Sequence, residues 1–215
     1  MGSGVGSGGF QKTRLPYRKG LMKRRGFLQG LLVSAAVSSP FLEAASVSGR
    51  RYLRPPGALS ETEFTARCVR CGQCGEVCPN RCIQYFGLEG GLSAIDTPYI
   101  IPREQACILC MRCTQVCPTG ALKKLERTAF DVLNHVNMGK ARVDKRLCLS
   151  YQGKTCGVCV RACPLQDVAI VAGYLEQPEI ITENCVGCGL CERSCIQMPQ
   201  AVKVIPAHDL DGVGA

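Results

Sequence analysis

Tryptophan is absent from the 215 residues, and the chain has only six tyrosines and six phenylalanines. Aromatic side chains bury large apolar areas and usually dominate a hydrophobic core. A core this poor in large side chains needs another source of stability. The sequence therefore favours small modules that are held together by more than apolar burial.

The apolar run at residues 28–37 is too short to cross a bilayer, because a spanning helix takes roughly 20 residues. It follows the pair Arg24 and Arg25, and the small residues 44–46 come shortly after it. This stretch resembles the twin-arginine export signal, with Lys23 where that family usually has Ser or Thr.

The resemblance implies an exported protein whose leader and flexible N-terminus cover residues 1–46. Met22 is an alternative start, and residues 1–9 are a Gly/Ser-rich extension. Two other interpretations remain open, namely a basic surface helix on a cytoplasmic protein and an uncleaved leader that serves as an anchor.

Cysteine is abundant, and sixteen of the seventeen cysteines fall into four quartets. Three quartets have the spacing Cys-x2-Cys-x2-Cys-x3-Cys, one is a stretched copy, and proline follows the first three quartets. The quartets are Cys68, Cys71, Cys74 and Cys78; Cys107, Cys110, Cys113 and Cys117; Cys148, Cys156, Cys159 and Cys163; and Cys185, Cys188, Cys191 and Cys195. Bacterial ferredoxins hold 4Fe-4S clusters with such runs. The sequence therefore predicts four 4Fe-4S clusters with these sixteen cysteines as iron ligands.

Other metal chemistries fit the cysteine spacing less well. Structural zinc sites usually combine two separated cysteine pairs. The sequence also lacks the Cys-x-x-Cys-His motif of haem attachment and the Cys-x3-Cys-x2-Cys motif of radical S-adenosylmethionine enzymes. Because each predicted cluster has four thiolates and no open iron for a substrate, we expect an electron carrier and not an enzyme.

The partner of each fourth cysteine can be predicted in two ways. In two-cluster ferredoxins the fourth cysteine of one run ligates the cluster of the other run. If neighbouring runs are partners, Cys78 and Cys117 are exchanged between the first two runs, and Cys163 and Cys195 between the last two. A nested pairing of the first run with the fourth and the second with the third remains open.

The seventeenth cysteine, Cys82, stands where the second repeat has Ala121. We interpret it as a small buried hydrophobic residue beside a cluster, with a redox-active or alternative ligand role as the other hypothesis. Loss of Cys78 is expected to remove a cluster, whereas loss of Cys82 is not. Neither His135 nor His208 is expected to be a ligand.

The net charge of +9 raises the question of nucleic-acid binding. Residues 1–46 hold seven Lys and Arg against one acidic residue, which leaves nineteen basic and sixteen acidic residues in the rest of the chain. Four oxidised clusters with their thiolates would add about −8. The loaded protein is then acidic, so no nucleic-acid partner is expected.

Short segments around the quartets indicate an α+β fold of tandem bacterial ferredoxin-like modules, each with two 4Fe-4S clusters, short strands and short helices. A turn and an apolar segment follow each quartet, at residues 80–83, 119–122, 167–170 and 200–202. Strand-like segments at 99–101, 141–143 and 179–181 lead into the next quartets.

Two helices are predicted outside the quartets. Residues 60–63 read as a capping box that starts a helix toward Cys68, and residues 126–137 carry apolar Phe130, Leu133 and Val136 at helical spacing. The second helix separates the two modules. The predicted organisation is therefore a leader at 1–46, a first ferredoxin unit at 47–125, a helical linker and strand at 126–147, and a second unit at 148–215.

The chain resembles the ferredoxin-type proteins NapG and MauM, of periplasmic nitrate reduction and methylamine utilisation. The resemblance rests on the leader, on the four quartets, on residues 97–99, and on the proline element at 54–58 that leads into Cys-Val-Arg-Cys-Gly-Gln-Cys. It implies a periplasmic four-cluster ferredoxin that is associated with the membrane through its partner. That partner is an integral-membrane, quinol-oxidising protein of the NapH or MauN type, and the acceptor is a periplasmic reductase or c-type cytochrome.

Two further functions are compatible with the cysteine runs. One is the electron-transfer subunit of a molybdenum oxidoreductase complex, and the other is a maturation factor that uses its clusters structurally. Export of a cysteine-rich chain to an oxidising compartment would ordinarily indicate disulfides. A twin-arginine route carries folded cargo, so clusters assembled in the cytoplasm could be exported already ligated.

Overall fold

The computed structural model describes residues 51–210. The predicted leader at 1–46 lies outside the described residues, as do residues 211–215. Every described helix and strand is short. The helices are α1 (Glu61–Arg67), α2 (Gln73–Glu76), α3 (Arg112–Val116), α4 (Ala129–His135), α5 (Val158–Arg161), α6 (Leu190–Ser194) and α7 (Ala207–Leu210). The strands are β1 (Gln84–Tyr85), β2 (Pro98–Tyr99), β3 (Gly139–Val143), β4 (Ile170–Ala172), β5 (Pro178–Ile180) and β6 (Val202–Pro206).

The strands pair by their position relative to the cysteine runs. The strand after the first run, β1, pairs with β2, which precedes the second run, and β4 after the third run pairs with β5 before the fourth. Strand β3 precedes the third run and pairs with β6, which follows the fourth run. All three sheets formed by residues 51–210 are antiparallel. An antiparallel bridge between Ala58 and Leu122 makes the corresponding closure around the first two runs.

The β3–β6 pair is the longest sheet in the described part of the chain, with a register from Gly139 opposite Pro206 to Val143 opposite Val202. Buried and partly exposed residues alternate along β6, as expected for a strand with one face on the core. Gly139 has a φ of +153°, and a Cβ at this position would lie 2.2 Å from the Ile205 carbonyl oxygen. A side chain larger than hydrogen therefore does not fit where β3 begins.

The predicted boundaries at 125 and 148 stay predictions. Residues 51–210 belong to one compact unit. Strand β3 comes from the predicted linker, yet it pairs with β6 of the predicted second unit. The linker strand is therefore structurally attached to the second half of the chain.

Both predicted helices form, but the cap of the first and the length of the second differ from the prediction. The Ser60 hydroxyl contacts the Glu63 carboxylate at 3.0 Å and makes no hydrogen bond to the helix backbone, so the capping box at the start of α1 is incomplete. Helix α4 covers only Ala129–His135, and the Thr128 hydroxyl caps it by accepting from the Asp131 N–H. Phe130 is 68% exposed, so the predicted apolar face is wrong at this residue.

The core consists mainly of small aliphatic side chains and cysteines. One buried cluster joins residues from both halves of the chain, among them Ile100, Val136, Val160 and Val204. A smaller cluster surrounds Phe64. This composition agrees with the scarcity of aromatic residues. Among residues 51–210, no helix has the length and apolar character needed to cross a membrane.

Arg54 attaches the proline element to the rest of the fold. Its guanidinium is 6% exposed and donates to the Thr97 hydroxyl at 3.0 Å and to the Pro98 carbonyl oxygen at 2.7 Å. It also pairs with the Glu61 carboxylate and lies 4.7 Å from the ring centroid of Phe64. A buried guanidinium that donates four hydrogen bonds holds the start of the described chain against α1 and β2.

We expect Arg54→Ala to lower the apparent free energy of unfolding of the loaded protein by about 3 kcal/mol, because partly buried hydrogen bonds to a charged group are lost. For a chain of this size that corresponds to roughly 6–12 °C in the unfolding midpoint. The control is Arg146→Ala, which removes an exposed ion pair with Asp144 and should change stability by about 0–1 kcal/mol. Equal midpoints for the two variants would show that Arg54 is not an anchor.

Candidate metal centres

The loops between the first three cysteines of each run share an unusual backbone conformation. In three runs the residues on both sides of the middle cysteine have positive φ: Arg70 (59°) and Gly72 (76°), Leu109 (55°) and Met111 (57°), and Gly187 (74°) and Gly189 (84°). In the stretched third run, Gly157 after Cys156 has a φ of 59°. Turns of this kind direct successive backbone N–H groups into a concavity that favours anions, as in many iron–sulfur sites.

The sixteen cysteines of the quartets come together in four sets, each of which takes three cysteines from one run and one from its neighbour. Set 1 is Cys68, Cys71, Cys74 and Cys117, which line one cavity beside Phe64 and Tyr85. Set 2 is Cys78, Cys107, Cys110 and Cys113, which line a second cavity beside Ile100 and Met111. Set 3 is Cys163, Cys185, Cys188 and Cys191, whose thiols interact electrostatically in the core. Set 4 is Cys148, Cys156, Cys159 and Cys195, which line a third cavity.

The sets follow the adjacent pairing of runs and not the nested one. Cys117 lies with the first run and Cys78 with the second, while Cys195 lies with the third and Cys163 with the fourth. The antiparallel closure of β3 with β6 explains the second exchange, because it brings the segment before the third run to the segment after the fourth. The assignment of these sixteen cysteines as iron ligands stays a prediction.

Burial raises the pKa of several of the thiols. It raises the pKa of Cys113 to about 12, with the charge of Cys110 adding to the effect. Burial likewise raises the pKa of Cys188 to about 12 and that of Cys159 to about 11. Such thiols keep their protons near neutral pH. Coordination to a metal removes the proton outright, so metal binding at these sets releases protons.

Cys117 departs from this pattern. Burial raises the pKa of its thiol, but hydrogen bonds from the Leu122 N–H and from Thr119 outweigh burial and lower the pKa below its ordinary value.

Each set contains one cysteine sulfur that accepts a backbone N–H at 3.4 Å. The donors are Leu122 to Cys117, Leu109 to Cys107, Ala141 to Cys185, and Ala201 to Cys195. Hydrogen bonds to ligand sulfur favour the thiolate and tune cluster potentials.

The residues of the sets fit a 4Fe-4S cluster in two respects, namely their sulfur donors and the nearby polar groups that need a hydrogen-bond acceptor. Each set offers four sulfur donors, and the neighbouring turns offer N–H groups for a negative charge. Ser150 lines the cavity of set 4, and its hydroxyl has no hydrogen-bond partner although it is buried. A buried hydroxyl without a partner costs free energy, and the sulfur atoms of a cluster would supply an acceptor.

A site for a single metal ion needs several ligand atoms that converge on one point, and the cysteine sets do not have this geometry. Among residues 51–210, no three His, Cys, Asp or Glu side chains are arranged to hold one ion. In a 4Fe-4S site the four thiolates bind four separate iron atoms, so they need not converge on one point.

The four sets lie in series. Cys74 of set 1 and Cys113 of set 2 are close enough for the charge of Cys74 to raise the pKa of Cys113, after the larger effects of burial and Cys110. The Cys107 N–H of set 2 donates to the Cys188 carbonyl oxygen of set 3 at 3.0 Å. Cys191 of set 3 and Cys159 of set 4 also interact electrostatically. The order along the molecule is therefore set 1, set 2, set 3 and set 4.

Two arginines hold the middle of this series together. The Arg103 guanidinium donates to the carbonyl oxygens of Glu192, Arg193 and Cys195 at 3.1, 3.1 and 2.8 Å. Arg193 donates in return to the Glu104 carbonyl oxygen. Sequence reasoning missed both arginines, because nothing local in the sequence distinguishes them from surface residues.

Four residues outside the quartets are distinguished by their contacts: Tyr85, His135, His208 and Cys82. The Tyr85 hydroxyl donates to the Gly72 carbonyl oxygen and accepts from the Gly75 N–H, so it holds the loop of set 1 in place. No motif in the sequence identifies Tyr85. His135 pairs with Asp131, and the ring of His208 stacks on Tyr52 with centroids 4.6 Å apart. Cys82 lies in the cavity of set 2.

Comparisons with known proteins agree with this geometry. A model of a 4Fe-4S dicluster domain matches residues 67–121 and 106–168, and a model of a 4Fe-4S binding domain matches residues 182–195. The methylamine utilization ferredoxin-type protein MauM of Methylorubrum extorquens is 34% identical over 208 residues, which is 91% of each chain. The ferredoxin-type protein NapG of Escherichia coli is 36% identical over 210 residues, which is 91% of this chain and 87% of the relative.

A third relative, MauM of Methylobacillus flagellatus, is 34% identical over 185 residues, covering 81% of this chain and 77% of the relative. The predicted α+β fold of tandem 4Fe-4S modules is confirmed by the domain matches and by the short helices and strands. The prediction of an iron–sulfur electron carrier in place of an enzyme is confirmed by the relatives. The chain belongs to the NapG/MauM family of ferredoxin-type proteins.

Proposed function

We propose that the protein is a periplasmic ferredoxin with four 4Fe-4S clusters that relays single electrons between a membrane partner and a periplasmic acceptor. The membrane partner is a quinol-oxidising protein of the NapH or MauN type, and the acceptor is a reductase or a c-type cytochrome. The observation that carries the proposal is the arrangement of sixteen cysteines in four sets in series.

The cysteine sets are suited to electron transfer without substrate chemistry. Each set supplies four thiolates, which is the full complement for a cubane, so no iron is left open for a substrate. When bound, a 4Fe-4S cluster accepts and releases one electron at a time. The role of the protein is to bury the ligands, direct N–H groups toward them and keep neighbouring sets close together.

Each end of the series has an exposed residue at or beside its cysteine set. Set 1 contains the exposed Cys71, next to Val69, which is 60% exposed. Set 4 lies beside Ile196, which is also 60% exposed. None of the four cysteines of set 1 is buried, whereas two of the four are buried in each of sets 2, 3 and 4. The exposed cysteine of set 1 and the exposed apolar side chain beside set 4 support a relay in which one partner exchanges electrons at set 1 and the other at set 4.

The proposed location follows from the N-terminal sequence. Arg24 and Arg25 precede a short apolar run, in the manner of a twin-arginine leader. This route exports folded proteins, so ligated cysteines would reach the periplasm protected from disulfide formation. The pairing of a leader that carries folded cargo with sixteen ligand cysteines supports export of the loaded protein.

Metal analysis of anaerobically purified protein tests the number of clusters. We expect about sixteen iron and about sixteen sulfide per chain, because four cubanes each contain four of both. Twelve of each would mean that one set holds no cluster. Zinc without sulfide would contradict the proposed function as a whole.

Export is tested by changing Arg24 and Arg25 together to lysine. We expect the cluster-loaded protein to accumulate in the cytoplasm, since the export route recognises the paired arginines. The matched control changes Arg14 and Arg18 to lysine and should leave periplasmic delivery unchanged. Delivery of the Arg24 and Arg25 variant at the level of this control would reject the twin-arginine assignment.

Ser150→Ala tests the donor role of the orphan hydroxyl at set 4. We expect full iron content and a lower midpoint potential for one cluster, because a hydrogen bond to cluster sulfur stabilises the more negative, reduced form. Redox titration followed by electron paramagnetic resonance measures this shift. Ser150→Thr keeps the hydroxyl and should retain the potential, whereas an unchanged potential in Ser150→Ala would show that the hydroxyl does not contact the cluster.

A further inference from the structure

The cavity of set 2 contains five thiols, one more than a cubane needs. Cys82 lines this cavity together with Cys78, Cys107, Cys110 and Cys113. Its side chain is 2% exposed, and its Sγ lies 3.6 Å from the Sγ of Cys78. The fifth thiol is therefore inside the site and directly beside one of the four predicted ligands.

A tight turn holds Cys82 in this position. The Arg81 N–H donates to the Cys78 carbonyl oxygen at 3.1 Å, and Arg81 has a φ of 46°, which reverses the chain so that residue 82 returns to the cavity. Asn80 attaches the turn to the second run, because its amide donates to the Ala106 carbonyl oxygen at 2.7 Å. Gln105 donates to the Asn80 carbonyl oxygen at 3.0 Å and fixes the same turn from the other side.

Set 1 offers a natural comparison with the same spacing. Four residues after Cys117 the chain has Ala121, which is 2% exposed and lines the cavity of set 1. Gly120 before it has a φ of 69°, as Arg81 has a positive φ before Cys82. The two turns therefore place equivalent side chains against equivalent sites, one with a thiol and the other with a methyl group.

The distance between the two sulfur atoms allows one iron to be shared. Metal–thiolate bonds are about 2.3 Å long, the value found for zinc, so a single metal atom can lie within bonding distance of two sulfurs 3.6 Å apart. Exchange of one ligand for the other then needs only a small shift of the turn. It does not require a rearrangement of the remaining three ligands of set 2.

We propose that Cys82 is a reserve ligand for the iron that Cys78 binds in set 2. The inference rests on the proposed function, since it requires a cluster at this set. In the exchange the Fe–Sγ bond to Cys78 breaks and an Fe–Sγ bond to Cys82 forms. The proton of the Cys82 thiol passes to the departing Cys78 thiolate, and no iron or sulfur atom changes its oxidation state. The sequence-based expectation that loss of Cys78 removes a cluster is revised accordingly.

Iron and sulfide contents of full-length variants, purified anaerobically, test the reserve ligand. We expect Cys78→Ala and Cys82→Ala each to retain the wild-type content. The double variant should lose about four iron and about four sulfide per chain, because one cubane is left with three thiolates. Electron paramagnetic resonance of the reduced Cys78→Ala protein should show one altered cluster signal, since its ligation has changed.

Set 1 provides the matched control. Cys117→Ala should lose about four iron, because no fifth thiol lies in that cavity. Adding Ala121→Cys to Cys117→Ala should restore them, since residue 121 occupies the position equivalent to Cys82. This gain of a cluster cannot be explained by general destabilisation, and failure of the restoration would count against ligand exchange across such a turn.

The outcomes separate this inference from the proposed function. If wild type has full iron and sulfide but Cys78→Ala loses as much as the double variant, or does not fold while Cys82→Ala does, Cys82 is not a reserve ligand. If wild type itself has no iron and sulfide, the proposed function fails first.

Discussion

The structure depends on the exchange of one cysteine between neighbouring runs. No run contains a complete set of its own, since its fourth cysteine lies in the set of the adjacent run. Metal ligation in such a site is coupled to folding, because binding orders both contributing segments at once. The short sheets and the core of small aliphatic side chains and cysteines are consistent with this coupling. Changes at one ligand therefore affect two runs.

The backbone around the runs carries strain that is easiest to explain by a bound anion. Arg70, Leu109 and Met111 have left-handed conformations that cost non-glycine residues about 1–2 kcal/mol each. In exchange, the turns direct N–H groups toward the sulfur atoms. Burial raises the pKa of neighbouring thiols such as Cys113 and Cys188. The backbone strain disfavours the turns when they bind nothing, and burial disfavours isolated thiolates. A metal cluster that replaced the thiol protons and accepted the N–H groups would offset both costs.

Local spacing explains what the sequence predicted well. The quartets, the flanking strands and the adjacent pairing of runs all depend on segments a few residues long or on one known exchange between runs. The series of sets could not be predicted, because it depends on contacts such as the Cys107 N–H to Cys188 hydrogen bond across about eighty residues. The same holds for Arg103, whose carbonyl partners are about ninety residues away. Helix α4 is shorter than the predicted 126–137, because the Thr128 hydroxyl caps it and it begins at Ala129. Helical periodicity also does not reveal that Phe130 is exposed to solvent.

The junction between sets 2 and 3 decides whether the protein is one conduit or two independent ferredoxins. A flexible linker between two modules would let the sets drift apart, and electron transfer would then depend on chance encounters. Here a backbone hydrogen bond joins Cys107 directly to Cys188. Arg103, which precedes the second run, donates to two carbonyl oxygens of α6 and to that of Cys195. The junction is also part of a shared buried core. A contact made only by side chains would let the distance between sets 2 and 3 vary. The hydrogen bond between the backbones of Cys107 and Cys188 fixes that distance. The fold thus holds sets 2 and 3 against each other within one unit, which is the arrangement that the proposed relay through all four sets requires.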